Sequence, residues 1–449
     1  MWLIDRIRKN GNRDALIYNA GVSRYNDILN LYDKWLELLR LNRVESGTVV
    51  AIIGDFSPAT CAAFLALIKN GNIIVPLMPI TYSKHEEFLD IAEVQFVLKP
   101  NLTQEILPRK ATVTNKLTRF LITKNDAGLI FFSSGSTGKS KAALHAMVPF
   151  LNKFRDPRPA MRTLIFLLFD HIGGINTFLY IFANGGVLIS PSDRNPSAVC
   201  QTIEKSKVEL LPVSPTFLNL LLLSEEHYRY DLSSLKKITY GTEPMPAITL
   251  KRLTQALPEV TLQQTYGLSE VGILHSKSKS NNSLWVKVGG KEFETKVIDG
   301  TLWIKAETAM IGYLNAPSPF DKAGWFNTED SVEVDGEYLR FLGRQSEIIN
   351  IGGEKVYPAE VEGHVLKLDN IRDAIVFGEP NPITGQIVVV SVNLIKPETV
   401  LELKKRIRRS LKSKLDSFKI PQKVIVVERN QFNERYKRMR LRRPDGVQA

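Results

Sequence analysis

The chain has 449 residues, 44% of them apolar and 24% charged, with a formal net charge of +12. That length exceeds what one hydrophobic core usually supports, and that composition excludes a disorder-dominated chain. Apolar runs such as 61–68 and 164–169 fall far short of the roughly 20 residues a membrane-spanning helix needs, and charges at Asp5 and Arg6 interrupt the place of a signal peptide's apolar segment, so a soluble, cytoplasmic protein is expected.

Apolar residues spaced by three and four predict an amphipathic helix over 25–39. A strand at 49–54, a helix at 58–70 and a strand at 73–77 imply β-α-β units and a largely parallel sheet. Ala127-Gly128-Leu129-Ile130-Phe131-Phe132 reads as a buried strand feeding Ser133-Ser134-Gly135-Ser136-Thr137-Gly138-Lys139-Ser140-Lys141. Those nine residues carry five hydroxyls and two lysines. Glycines let the backbone turn inward and small hydroxyls donate without blocking access, which suits phosphate oxygens. A polar connecting loop is the plain alternative. A P-loop, G-x-x-x-x-G-K-[ST], is another: Gly138-Lys139-Ser140 satisfies its end, but Ser133 stands where its first glycine belongs.

The strand and helix rhythm returns at 163–168, 176–183 and 186–189, then at 208–212 with 215–223. Near Leu302 it gives way to short alternating strands, and Asp335-Gly336 within 332–339 signals a hairpin. A domain boundary is expected at Gly343-Arg344-Gln345-Ser346, dividing the chain into 1–343 and 344–449. The second part reads as a helix at 359–367, strands at 373–377 and 387–392, a basic helix at 400–415 and a strand at 423–427. The expected fold class is α/β: a large N-terminal domain of layered β-α-β sheets and a small C-terminal α+β domain. Cys61 and Cys200 are widely spaced and read as buried free thiols. From Leu401 to Arg443 sixteen Lys or Arg face four acidic residues, an excess equal to the whole net charge. Such a surface suits nucleic acid, an anionic membrane, or an acidic protein or cofactor, but no zinc-finger or aromatic RNA-binding motif accompanies it. A solvated helix face is the plain alternative.

Further motifs follow in order: Tyr240-Gly241-Thr242-Glu243-Pro244, Thr265-Tyr266-Gly267-Leu268-Ser269-Glu270, Gly324-Trp325-Phe326-Asn327-Thr328-Glu329-Asp330, Gly343-Arg344, and Ile351-Gly352-Gly353-Glu354-Lys355-Val356-Tyr357-Pro358. With these residues in this order, the chain resembles the adenylate-forming superfamily over nearly its whole length: acyl- and aryl-CoA synthetases, amino-acid adenylation domains and firefly luciferase. The resemblance implies that Ser133, Ser134, Gly135, Ser136, Thr137 and Gly138 hold the ATP β- and γ-phosphates, with Lys141 as the loop lysine. It implies Gly241, Thr242 and Glu243 beside the adenine, Tyr266 stacked on it, and Thr265 at the α-phosphate. Asp330 is expected on both ribose hydroxyls, reinforced by Arg344, and Gly353 in the loop that reaches a thiol. Glu270 and Thr137 are the expected Mg²⁺ ligands. Phe169-Asp170-His171-Ile172-Gly173-Gly174 resembles a wall of the acid pocket, where His171 orients the acyl carboxylate or is a hydrogen-bonded core histidine. Asp170 would suit a substrate amine, but 352–358 look more like acyl-CoA synthetases.

The last motif departs from the family. Where most members have Thr-x-x-Gly-Lys, this chain has Asn433-Glu434-Arg435-Tyr436-Lys437, so Lys437 aligns as the catalytic cation, with Arg435 or Arg438 as substitutes. If that glycine needs positive φ, Tyr436 strains the turn. Glu329 also stands where many members have glycine, and Ser346 where many have Asp or Lys. The phosphate loop comes early, so part of the outer N-terminal subdomain is expected to be trimmed. The implied reaction is ATP-dependent activation of a carboxylic acid to an acyl-adenylate, then acyl transfer to the thiol of CoA or of a carrier protein's phosphopantetheine. The implied cofactors are ATP, Mg²⁺ and that thiol carrier. The basic segment would dock an acidic acyl carrier protein or grip the CoA 3′-phosphate. An amino-acid-adenylating enzyme, or a non-catalytic nucleotide- or acyl-binding relative, is the alternative.

Overall fold

The helix Pro58–Asn70 starts on Ser57, whose hydroxyl accepts from Thr60 N, begins with proline, and ends on Gly71 at φ 81. Its residues from Thr60 to Ile68 are all buried, because it is apolar on every side and lies in the largest core cluster. It joins Val49–Ile53 to Ile73–Leu77, which pair in parallel, and packs on the expected amphipathic helix, Tyr25–Leu41. In this computed structural model residues 1–101, 104–134, 140–428, 430–433 and 435–439 are described.

Two seven-stranded sheets follow from such units. One has the order Gly312–Tyr313, Ser140–Ala146, Gly128–Ser134, Ile73–Leu77, Val49–Ile53, Phe96–Lys99, Glu105–Pro108, with the four strands from Gly128–Ser134 to Phe96–Lys99 parallel. The other runs Thr261–Gln264, Lys237–Tyr240, Leu210–Val213, Arg162–Leu164, Val187–Ile189, Asp14–Tyr18, Gly21–Arg24, parallel except for its final hairpin. A six-stranded antiparallel sheet holds the expected hairpin, Phe326–Asp335 with Tyr338–Arg344, turning at Gly336 with φ 59. A smaller C-terminal domain sets Pro358–Val365 and Val400–Leu411 against a five-stranded sheet of Glu354–Val356, Ile349–Ile351, Gly385–Leu394, Ile371–Asn381 and Lys423–Val426. Leu403, Ile407 and Leu411 form the buried stripe of its basic helix. The change of sheet falls between Arg344 and Ile349. No described helix is long and apolar enough to cross a membrane.

Several elements differ from expectation, among them the strand expected at 373–377, which runs Ile371–Asn381. The strand expected at 163–168 is only Arg162–Leu164, although Ile165, Phe166, Leu168 and Phe169 are buried: an apolar run reports burial, not pairing. The next helix begins at Ile172, four residues early, despite Gly173 and Gly174. A Cβ on Gly174 would lie 2.1 Å from Leu168 O, so close backbone approach demands glycine there. The antiparallel sheet begins at His275–Ser278, well before Leu302, in a strand too polar for alternation to reveal. The basic helix ends at Leu411, ahead of the expected Leu415.

Candidate functional site

Parallel neighbours Lys237–Tyr240 and Thr261–Gln264 end side by side, and their carboxyl ends lead Thr242-Glu243 and Thr265-Tyr266 into one cleft, which Gly241 itself does not line. Such strand ends are where open α/β sheets bind ligands. The two loops nearly touch: a Cβ on Gly241 would stand 2.6 Å from Thr265 Oγ1, while that hydroxyl donates to Tyr240 O at 3.2 Å. Thr242 holds φ 73, costly for a β-branched residue and in keeping with backbone strain at a functional site. The cleft measures about 860 Å³ including its open mouth.

The antiparallel hairpin supplies the second wall, with Asp330 and Arg344 opposite each other across its strands. Tyr266 donates its hydroxyl to Asp330 Oδ2 at 2.6 Å, and Arg344 Nε lies 3.5 Å from Oδ1. Burial raises the Asp330 pKa against the lowering pull of Arg344 and the Tyr266 hydrogen bond. The Tyr266 ring stacks on Phe341 at 4.4 Å, and both line the cleft. Glu329, standing at a position where the resemblance has glycine, adopts φ 57.

The C-terminal segment closes the third side. Asn433 N donates to Lys437 O at 3.0 Å and Tyr436 N to Asn433 O at 2.8 Å, while Asn433 Oδ1 accepts from Arg435 N and Lys437 N. Asparagine, standing for the expected threonine, thereby organises the turn itself. Tyr436 sits at φ 51, the left-handed conformation the glycine position demands. Lys437 reaches the cleft, accessible to solvent yet ringed by protein; partial desolvation and the Arg344 charge lower its pKa. Arg435 and Arg438, the substitutes, are engaged elsewhere. Arg435 donates to Asp170 Oδ2 at 2.8 Å. Arg438 is held by Glu362 at 2.8 Å and Asp373 at 3.4 Å, and its backbone N–H donates to Glu243.

The phosphate-loop residues divide. Gly128–Ser134 and Ser140–Ala146 form an antiparallel pair in which Ser133 opposes Lys141 and Ser134 opposes Ser140. A strand thus follows the loop, where a P-loop requires a helix, and the P-loop alternative is excluded. Gly135, Ser136, Thr137, Gly138 and Lys139 lie outside the described residues. The Lys141 amine stands 5.2 Å from the centre of the Tyr313 ring, whose hydroxyl donates to Glu270 Oε1. Neither Lys141 nor Glu270 lines the cleft itself. His171 caps the helix Ile172–Asn184, its Nδ1 accepting from Gly173 N at 3.0 Å. Burial and the charges of Arg435 and Lys437 lower its pKa to about 3, so the ring is neutral at physiological pH. Gly353 occupies a turn at φ 96 between Ile349–Ile351 and Glu354–Val356 and does not line the cleft.

The cleft therefore brings together Thr242, Glu243, Thr265, Tyr266, Asp330, Arg344 and Lys437 from widely separated stretches. Sequence reasoning missed Gln264, Tyr313, Phe341 and Glu347. Gln264, 7% exposed, lines the cleft and has a buried Oε1 without a partner among the described residues; only its place before Thr265-Tyr266 could have marked it. Phe341 lies two residues past the alternating stretch 332–339, and extending that alternation could have marked it. His145 was also missed: Nε2 lies 2.7 Å from Ser269 O and Nδ1 3.3 Å from Thr308 O, fixing the segment that carries Glu270. A lone histidine in an apolar strand gives no such signal.

The family model of the AMP-binding enzymes matches residues 3–314, and that of the AMP-binding enzyme C-terminal domain matches 360–433. Acyl-CoA synthetase 7 of Caenorhabditis elegans is 29% identical over 329 residues, 66% of this chain and 61% of that protein. 4-Coumarate–CoA ligase-like 9 of Arabidopsis thaliana is 26% identical over 401 residues, 78% of this chain and 71% of that protein. The solved structure of o-succinylbenzoate CoA synthetase from Bacillus subtilis, in complex with its acyl-adenylate intermediate, matches with a TM-score of 0.75 at 22% identity, covering 97% and 96% of the two chains. The match to the Caenorhabditis protein thus spans about three fifths of that relative's length.

Proposed function

We propose a reaction for this chain from one premise: it belongs to the AMP-binding enzyme family. It activates a carboxylic acid with ATP and passes the acyl group to a phosphopantetheine thiol, as an AMP-forming acid–thiol ligase. A carboxylate oxygen forms a bond to the α-phosphorus, the α–β anhydride bond breaks and pyrophosphate leaves. The thiol sulfur then bonds to the acyl carbon, the acyl–oxygen bond breaks, the thiol proton passes to solvent, and AMP leaves.

One observation carries the reading: an amine from the C-terminal segment, Lys437, enters the cleft that already holds Tyr266, Asp330 and Arg344. The stacked Tyr266 and Phe341 suit a nucleobase, and the Asp330 carboxylate suits ribose hydroxyls. Lys437 and Thr265 would face the α-phosphate, where a fixed positive charge favours the transition state over the ground state. Ser133 to Lys141 would hold the departing pyrophosphate. Mg²⁺ would offset phosphate charge there. Among the described residues no three carboxylate, imidazole or thiol groups converge on a cation, so Glu270 would supply a single ligand, with Thr137 and the nucleotide's phosphates. For the second half-reaction the C-terminal domain would swing, carrying Lys437 away and the Gly352–Gly353 turn toward the thiol.

The Asp170–Arg435 pair weighs against the amino-acid reading, because the carboxylate that would bind a substrate ammonium already has a cation. The acceptor is CoA or an acidic carrier protein, the latter favoured by the exposed basic helix. ATP–pyrophosphate exchange with fatty, aryl and amino acids, followed by thioester assays with both acceptors, tests the proposal. Exchange with at least one fatty or aryl acid is expected; ATP binding without exchange for any acid would instead support a non-catalytic scaffold.

A further inference from the structure

We infer that Arg435 and Tyr436 form a clasp that seats Lys437 in the cleft, and that opening this clasp separates adenylate formation from acyl transfer; the second half rests on the reaction proposed above. The Tyr436 ring enters an aromatic slot. Its centre lies 5.4 Å from that of Phe166 and 5.6 Å from that of Phe217, two buried residues of the N-terminal core that pack on each other at 4.4 Å. Phe432 stacks on it at 5.3 Å from the C-terminal side. The Tyr436 carbonyl accepts from Ser214 Oγ at 2.7 Å, and that Ser214 hydroxyl also caps the helix Pro215–Ser224 by accepting from Phe217 N. One residue earlier, Arg435 donates to Asp170, which is 6% exposed. One residue beyond Lys437, Arg438 N donates to Glu243. The contacts of Tyr436 with Phe166, Phe217 and Ser214, of Arg435 with Asp170 and of Arg438 N with Glu243 all run from the Lys437 turn to the N-terminal domain.

A tyrosine at φ 51 is costly where glycine would not be, and such strain persists only where its surroundings over-determine it. Here the surroundings are the slot. Because the contacts cross between domains, they exist only while Lys437 is seated. Any swing of the C-terminal domain must first withdraw an aromatic ring from an apolar site and part a half-buried ion pair. The clasp therefore favours adenylate formation and slows departure from it. Arg435 and Tyr436 are positioning residues, acting through Lys437.

The test compares the full chain with Tyr436→Gly and Tyr436→Phe. Tyr436→Phe keeps the ring and should behave as the parent. Tyr436→Gly relieves the strain but empties the slot. Hydrogen exchange at amides 435–438, with ATP alone as probe, should quicken about tenfold or more in Tyr436→Gly only. With the acid that gives the fastest pyrophosphate exchange, kcat should fall about tenfold while the KM for ATP stays within about twofold, and single-turnover transfer from preformed acyl-adenylate to CoA should hold or quicken. Unchanged amide exchange in Tyr436→Gly, equal damage in Tyr436→Phe, or slowed transfer would overturn the clasp. Quickened amides, with no pyrophosphate exchange in the parent for any acid, would uphold the seating of Lys437 and overturn the reaction instead.

Discussion

Lys437 is the residue on which the proposed chemistry turns, and its surroundings fix its pH behaviour. The protonated amine is the form that stabilises charge building at phosphorus. Partial burial and Arg344 lower its pKa, so pyrophosphate exchange should decline with rising pH before an ordinary lysine, near 10.4, would titrate. Lys437→Arg should move that alkaline limb upward, because a guanidinium stays charged. Lys437→Ala should lower exchange by about 10²–10³-fold while sparing transfer from preformed acyl-adenylate. Equal loss of both steps would remove Lys437 from its role. The His171 ring, already neutral, should contribute no limb between pH 5 and 8. At this scale sequence order made Tyr266, Asp330, Arg344 and Lys437 legible. It also flagged the changed glycine, since Tyr436 and Glu329 both hold positive φ. The Phe166–Phe217 slot was not legible, because its members lie in ordinary apolar runs whose partner is more than two hundred residues away.

Among the elements, the helix Pro358–Val365 and the strand Ile371–Asn381 meet at Arg438, whose guanidinium bridges Glu362 and Asp373. Glu362 also accepts from Val376 N at 2.9 Å, tying the helix to the strand. Two buried carboxylates sharing one cation make that cation hard to replace. Arg438→Met should cost about 3 kcal/mol of C-terminal domain stability, read from the denaturation midpoint. A change under about 0.5 kcal/mol would mean that water reaches the network. Periodicity located the regular elements well: Pro58–Asn70, Ile73–Leu77 and the Asp335-Gly336 hairpin lie where apolar spacing and turn chemistry put them. It failed where tertiary contacts overrule local signals. Gly173 and Gly174 speak against a helix, yet His171 caps one there, and close approach to Leu168 needs the missing Cβ.

For the whole molecule, charge is unevenly distributed, and this bears on the acceptor. The helix Val400–Leu411 turns Leu403, Ile407 and Leu411 inward, which leaves Lys405, Arg408 and Arg409 exposed, with Lys412 following. Arg406 differs, being held by Glu398 at 2.6 Å. Leu401, Lys405, Arg408 and Lys412 follow helical spacing down one side, beginning with an exposed leucine. A cationic stripe of this kind steers an acidic partner and adds less to a small acceptor bound in a cleft. The Debye length falls from about 10 Å at ~0.1 M salt to about 3 Å at ~1 M. Over that range the KM for an acidic carrier protein should rise by about tenfold or more, as several exposed pairs weaken together, while pyrophosphate exchange changes little. Lys405→Glu with Arg408→Glu and Lys412→Glu should reproduce the high-salt KM at low salt. If this variant instead raises the KM for CoA and leaves the carrier untouched, the stripe recognises the CoA 3′-phosphate. If neither KM moves, the helix presents a solvated face and the choice of acceptor lies elsewhere in the fold.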